Sequence, residues 1–145
     1  MKKYRIYLDD VRTPINPTNE WVDDFENWTV VRSYDEFVEK VTEIGLENIE
    51  VISLDHDLGD QAMTEWKTNV VKNYKLDYNN IDEKTGYDCA KWLVEQWMDG
   101  KPLVTVVVHS ANAIGSANIM GYINNYRHLN RLPQNCIRVY WEHTI

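Results

Sequence analysis

No stretch of this chain stays apolar for the roughly 20 residues that a membrane-spanning helix needs, which excludes a bilayer-spanning role. Nor does a secretory signal open it: Met1-Lys2-Lys3-Tyr4-Arg5 runs directly into a strand pattern without an apolar core. Cysteine is scarce. Cys89 and Cys136 stand far apart and form no C-x-x-C pair, so a disulfide framework is excluded and a reduced, cytoplasmic protein is expected. Positive charge is short as well, leaving a formal net charge of −8. A non-specific duplex binder draws its affinity from neutralising phosphates, so bulk duplex nucleic-acid binding is not expected. A small phosphorylated ligand is not, because local arginines or a metal ion override an acidic average. Internal repeats and low-complexity segments are missing too.

What the chain does have is aromatic surface to bury, 6 Trp and 9 Tyr in 145 residues, enough for one domain spanning 1–145. Its most informative stretch is Ile49-Glu50-Val51-Ile52-Ser53-Leu54-Asp55-His56-Asp57-Leu58-Gly59. Val51, Ile52 and Leu54 read as a buried strand, and Asp-His-Asp follows at once. In an open α/β sheet the carboxyl end of a strand faces the ligand crevice. Asp55 and Asp57 either hold titratable groups at that mouth or cap a turn, as acids often do.

Along the chain, Arg5–Leu8 is a short apolar strand ending in Asp9-Asp10. Pro14 and Pro17 exclude a helix interior behind it, so 11–27 is expected to be a long loop. Trp28–Arg32 is a second strand. Ser33-Tyr34-Asp35-Glu36 matches a capping box and opens a helix with Phe37, Val38, Val41 and Ile44 on one face, stopped by Gly45. After the Asp-His-Asp strand, a polar, asparagine-rich insertion covers about 60–82 and is expected to be partly helical. Thr85-Gly86-Tyr87-Asp88 starts a helix that buries Ala90, Leu93 and Trp97. Leu103–Val108 is apolar on both faces, as a central parallel strand should be. A helix from about Ala113 to His128 and a strand at Ile137–Trp141 complete the order. His128 reads as a surface residue and His143 as tail.

Right-handed crossovers turn this order into a flavodoxin-like α/β domain. Its five-stranded parallel sheet runs 2-1-3-4-5 and is flanked by helices. Strands one, three and four then lie side by side, and Asp9-Asp10, Asp55-His56-Asp57 and His109-Ser110 converge on one crevice. So many neighbouring carboxylates stay ionised only around a cation. Asp9, Asp10 and Asp55 are the candidate ligands of one Mg²⁺ or Mn²⁺, since hard ions take oxygen donors. The alternative is a solvated acidic rim of turn-capping aspartates.

His56 and His109 are the candidate proton carriers, because imidazole titrates near neutral pH; His56 is alternatively a metal ligand. Ser110 to Asn118 opens a helix at the mouth, where free N–H groups attract phosphate. Ser110, Asn112 and Asn118 are candidate substrate contacts, with Asn112 equally suited to capping the helix. Arg12 is a candidate phosphate clamp, or a partner for the surplus acid around it.

The acid pair after strand one and the aspartate after strand three resemble the phosphoacceptor site of two-component receiver domains. There the pair holds Mg²⁺, the later aspartate takes the phosphoryl group, and a Ser or Thr ends strand four, the place of Ser110. A receiver also ends strand five with lysine, where this chain has Tyr140-Trp141-Glu142-His143. The fuller set is Leu8-Asp9-Asp10-Val11-Arg12-Thr13-Pro14, Asp55-His56-Asp57-Leu58-Gly59, Gly86-Tyr87-Asp88 and His109-Ser110-Ala111-Asn112. It resembles the cyclic-phosphate-processing receiver-like domains of bacteria and their phages. That resemblance implies a metal-dependent phosphodiesterase in the bacterial cytoplasm, the host's if the chain is phage-encoded. Its substrate would be a cyclic nucleotide or an RNA end bearing a cyclic phosphate. The ion and Arg12 would stabilise charge on the phosphate, Asp57 or His56 would deprotonate a water, and His109 would protonate the leaving oxygen. Two other readings stay open: a module that binds the cyclic nucleotide without turnover, and a signalling receiver phosphorylated on Asp55.

Overall fold

The computed structural model describes residues 4–11, 13–14, 28–59, 67, 76, 84–132, 136–139 and 143–144. The insertion expected at about 60–82 lies outside them except for Lys67 and Leu76, as does most of the loop expected at 11–27. Among the described residues there are seven strands: β1 (Tyr4–Leu8), β2 (Thr13–Pro14), β3 (Trp28–Val31), β4 (Ile49–Leu54), β5 (Thr105–Val108), β6 (Ile137–Arg138) and β7 (His143–Thr144). The same residues include three α-helices: α1 (Tyr34–Ile44), α2 (Gly86–Met98) and α3 (Ala113–Leu129).

The main sheet is parallel in the order β3-β1-β4-β5-β6, which is 2-1-3-4-5 when its strands are counted along the chain. The expected flavodoxin-like α/β domain is therefore present. β5 is shorter than the apolar run from Leu103 implied, because its pairing with β4 begins only at Val51 opposite Thr105. The second sheet was not anticipated: β2 pairs antiparallel with β7, Pro14 opposite His143. His143 is thus part of a strand and not a loose tail. Two residues carry no visible alternation, so periodicity could not reveal either partner.

Helix starts follow their side chains. At α1, Ser33 Oγ accepts from the Glu36 N–H at 3.2 Å, while Glu36 reaches back to the Arg32 N–H at 3.3 Å, one residue earlier than in a standard box. At α2, Thr85 Oγ1 accepts from Tyr87 N and the Asp88 carboxylate accepts from Thr85 N at 2.8 Å, closing a full capping box. Gly45, at φ +90°, ends α1.

All three described helices pack on one sheet face. There Ile6, Leu8, Ile52, Leu54, Val106 and Val108 meet Phe37 and Val41 of α1, Leu93 and Trp97 of α2, and Ile119 and Ile123 of α3. Each such side chain contributes about 1.5–3 kcal/mol by burial. The opposite face carries a smaller cluster of Tyr7, Trp28, Val51, Val107 and Val139. Buried Arg127 closes the far end, donating to the Val104 carbonyl at 2.7 Å and lying 4.9 Å from the Trp97 ring centre. Among the described residues no helix is long and apolar enough to cross a membrane.

Candidate functional site

Register places the central residues. Leu8 pairs with Leu54, and Leu54 pairs with Val108, so three neighbouring strands end on one row. The residues one step beyond are Asp9, Asp55 and His109. Their backbones continue the ladder: Asp9 N donates to Val31 O at 3.1 Å, and Asp55 N and His109 N donate at 2.9 Å to Leu8 O and Leu54 O. Neighbouring parallel strands lie about 4.8 Å apart. One donor atom from each of the three side chains accordingly falls within 4.8 Å of the others. All three residues are buried. Two carboxylates and an imidazole at such spacing suit a divalent cation.

His109 is held on both ring nitrogens. Nε2 lies 3.1 Å from Asp9 Oδ2, and Nδ1 lies 2.7 Å from Ser53 Oγ. Tyr7 stacks on the ring, with 4.3 Å between centroids and 7° between planes. Tyr7, Ser53 and Val107 form the register row two residues before Asp9, Asp55 and His109, on the same face. The face that carries the described helices therefore points away from this unit. Ser53 and Tyr7 were not among the expected site residues. A hydroxyl inside the otherwise apolar run Val51-Ile52-Ser53-Leu54, two positions before an aspartate, was the available signal.

A second imidazole–carboxylate unit sits on the helix side. His56 Nδ1 lies 2.7 Å from Asp57 Oδ1, and the His56 ring is fully buried. Asn112 Nδ2 donates to the same Asp57 oxygen at 3.3 Å, while Asn112 Oδ1 caps α3 by accepting from Gly115 N at 2.8 Å. Capping and orienting are thus both done by Asn112. The ring rests on the first turn of α3: a Cβ at Gly115 would come 2.5 Å from His56 Cγ. A Cβ at Gly86 would collide with the Asp55 carbonyl, so α2 also approaches the site as closely as a backbone can. Asp55 joins the two units, since its Oδ1 accepts from the His56 N–H at 2.9 Å.

The other expected residues fall as follows. Asp10 is partly exposed beside Asp9 and is not one of the three clustered donors. Ser110 is buried; its Oγ accepts from Asn112 N at 3.1 Å. Its carbonyl accepts from Arg138 Nη2 at 2.9 Å, Arg138 Nε at 3.2 Å and Ser116 Oγ at 3.3 Å. A cation from the fifth parallel strand thus does reach the mouth, as Arg138, two positions before the stretch where a receiver lysine was sought. Asn118 is half-buried in the second turn of α3 and is not among the residues these two units bring together. Arg12 lies outside the described residues. His128 is exposed, as expected.

In a comparison with protein families, residues 4–125 match the family described as the cyclic-phosphate processing receiver domain. No curated protein and no solved structure matches the chain. The family match spans most of the sequence, and the chain belongs to the cyclic-phosphate processing receiver family.

Proposed function

We propose that this member of the cyclic-phosphate processing receiver family hydrolyses a cyclic phosphodiester, either of a nucleotide or of an RNA end. The observation that carries the reading is the convergence of Asp9, Asp55 and His109 within 4.8 Å at the mouth of the sheet. Those three would hold a divalent ion, with Asp10 as a further oxygen donor. The imidazole favours Mn²⁺ over Mg²⁺, because nitrogen donors suit transition ions better. When bound, such an ion supplies positive charge to the non-bridging phosphate oxygens.

The chain's own groups divide the remaining work. His109 has both ring nitrogens committed, so we assign it to the ion-holding unit and not to the proton transfer expected of it from sequence. Ser53 orients its ring and fixes which nitrogen faces Asp9. His56, steadied by Asp57, takes the proton of the attacking water as that oxygen bonds to phosphorus. The ring P–O bond breaks, and the imidazolium returns the proton to the departing hydroxyl oxygen. Asp57 stabilises the transient charge on His56, and Asn112 holds Asp57. The N–H groups opening α3, together with Ser110, offer donors to a phosphate oxygen.

The test is a screen of 2′,3′- and 3′,5′-cyclic mononucleotides, cyclic dinucleotides and cyclic-phosphate-ended RNA with Mn²⁺ or Mg²⁺, read by phosphorus NMR. Conversion of one class to a monoester, abolished by chelator, is the expected result. Substrates left intact across the panel would remove the hydrolase reading. Acetyl phosphate with Mg²⁺, followed by intact-mass measurement, is expected to add no phosphoryl group; a stable adduct lost in Asp55→Asn would favour signalling instead.

A further inference from the structure

Beside the mouth lies a cavity of about 220 Å³ lined by Ser33, Tyr34, Asp35, Leu58 and Lys84. Its walls connect directly to the site. Leu58 follows Asp57 directly. Ser33 and Tyr34 follow Arg32, whose Nη1 donates to the Asp9 carbonyl at 3.2 Å. Lys84 precedes the α2 cap, and Gly86 N donates to the His56 carbonyl at 2.8 Å. A phosphate at the mouth therefore has this cavity as its neighbour. The volume falls below the about 300–1,000 Å³ of pockets that take drug-sized ligands whole, so it fits a single flat ring system.

Its chemistry is specific. Lys84 Nζ stands 4.9 Å from the centre of the Tyr34 ring. Burial, helped by the nearby acids Glu95, Asp88 and Asp35, raises the Tyr34 phenol above its ordinary value. Among the described residues neither Asp35 nor Lys84 is part of an ion pair. An aromatic wall and a leucine wall thus frame one acceptor-only group and one donor-only group. Resting on the cyclic-phosphate reading above, we propose that this cavity selects the guanine base of the substrate.

Guanine presents two adjacent donors, N1–H and the exocyclic amine, which match a carboxylate bidentately. Beside them are the O6 and N7 acceptors, which match an ammonium. Adenine shares only the N7 acceptor: where guanine has O6 it turns an amine toward Lys84, and its bare N1 faces Asp35. A hydrogen-bonding site rejects a ligand that leaves its groups unpaired. Because Asp35 and Lys84 are solvent-exposed, water tempers that rejection.

The experiment titrates the full chain, with chelator present, with the 2′,3′-cyclic phosphates of guanosine, inosine and adenosine, read calorimetrically. Guanosine should bind about tenfold tighter than adenosine, with inosine between because it lacks the exocyclic amine. Asp35→Asn and, separately, Lys84→Gln should each collapse the guanosine-to-adenosine ratio, with thermal melting confirming that each variant folds. Equal binding of the three, no binding at millimolar ligand, or an unchanged ratio in both variants would overturn the assignment. Adding Mn²⁺ then separates the two claims: guanosine preference without hydrolysis defeats the hydrolase reading alone, and hydrolysis without base preference defeats the cavity alone.

Discussion

His109 and His56 are both buried and each has a carboxylate oxygen on a ring nitrogen, at 3.1 Å and 2.7 Å, yet they are supported in opposite ways. His109 is locked by strands: Asp9 directly follows β1, Ser53 lies in β4, and Tyr7 of β1 covers the ring. Moving it means moving the sheet register. His56 is held by its sequence neighbour Asp57 and by the capped first turn of α3, through Asn112 and Gly115. A loop and a helix end can yield where a five-stranded sheet cannot. A rigid imidazole suits a fixed ion, whereas a proton carrier must exchange partners during a reaction.

The largest effect should fall on His56. His56→Gln is chosen over alanine because deleting a fully buried ring leaves a cavity. It should lower kcat by about 10²–10⁴-fold, the usual worth of a positioned proton carrier, with Mn²⁺ affinity unchanged. His109→Ala should do the reverse: Mn²⁺ affinity, measured by calorimetry, falls by at least about 100-fold. It also deletes a buried ring and removes one hydrogen bond each from Asp9 and Ser53 inside the sheet, so denaturant unfolding should report a loss of about 3–5 kcal/mol. If both variants lose turnover and ion affinity equally, the division between the units is wrong.

Sequence carried one half of this contrast better than the other. Apolar runs that stop abruptly at acids marked β1 and β4, one that stops at a histidine marked β5, and right-handed crossovers set their order, which brings Asp9, Asp55 and His109 together. What holds His109 could not be seen that way. Ser53 contributes one hydroxyl in a strand that otherwise looks like core, and Tyr7 reads as an ordinary buried aromatic. Their meaning depends on register between strands far apart in the chain, Tyr7 with Ser53 and Ser53 with Val107. Arg138 escaped notice for a similar reason, since its contact is a carbonyl and carries no residue type. The capping residues Ser33, Thr85 and Asn112 were legible because capping is local and has its own chemistry.

Smaller effects refine the contrast. Ser53→Ala leaves every expected ion-holding residue in place and removes only the hydroxyl on Nδ1. An outer partner of this kind is worth about 10–100-fold in ion affinity, and kcat at saturating Mn²⁺ should hold. Gly115→Ala tests the other unit by the same logic. Its methyl would come 2.5 Å from His56 Cγ, so the ring must shift. Turnover should fall about tenfold, since small misplacements cost that much, with ion affinity unaltered. A Gly115→Ala variant with full activity would show that His56 need not sit where α3 puts it.

The smallest effect decides whether alkaline loss of activity belongs to either unit or to the core. Burial pushes the Cys136 thiol from its usual 9.0 up to about 12, and burial likewise raises Cys89 well above its usual value. A thiol whose folded pKa exceeds its unfolded one stabilises the fold fully below the unfolded value, and that stability drains as pH rises toward the folded one. The window therefore opens near pH 9 and runs toward pH 12. At pH 10, about one unit above the unfolded value, Cys136 alone should account for about 1 kcal/mol of lost stability. Denaturant unfolding at pH 7 and pH 10 measures it, and Cys136→Ala should flatten the difference by that amount. Activity that declines in step with stability in this window reports the core behind the sheet. Activity that declines while stability holds constant reports the site at its edge.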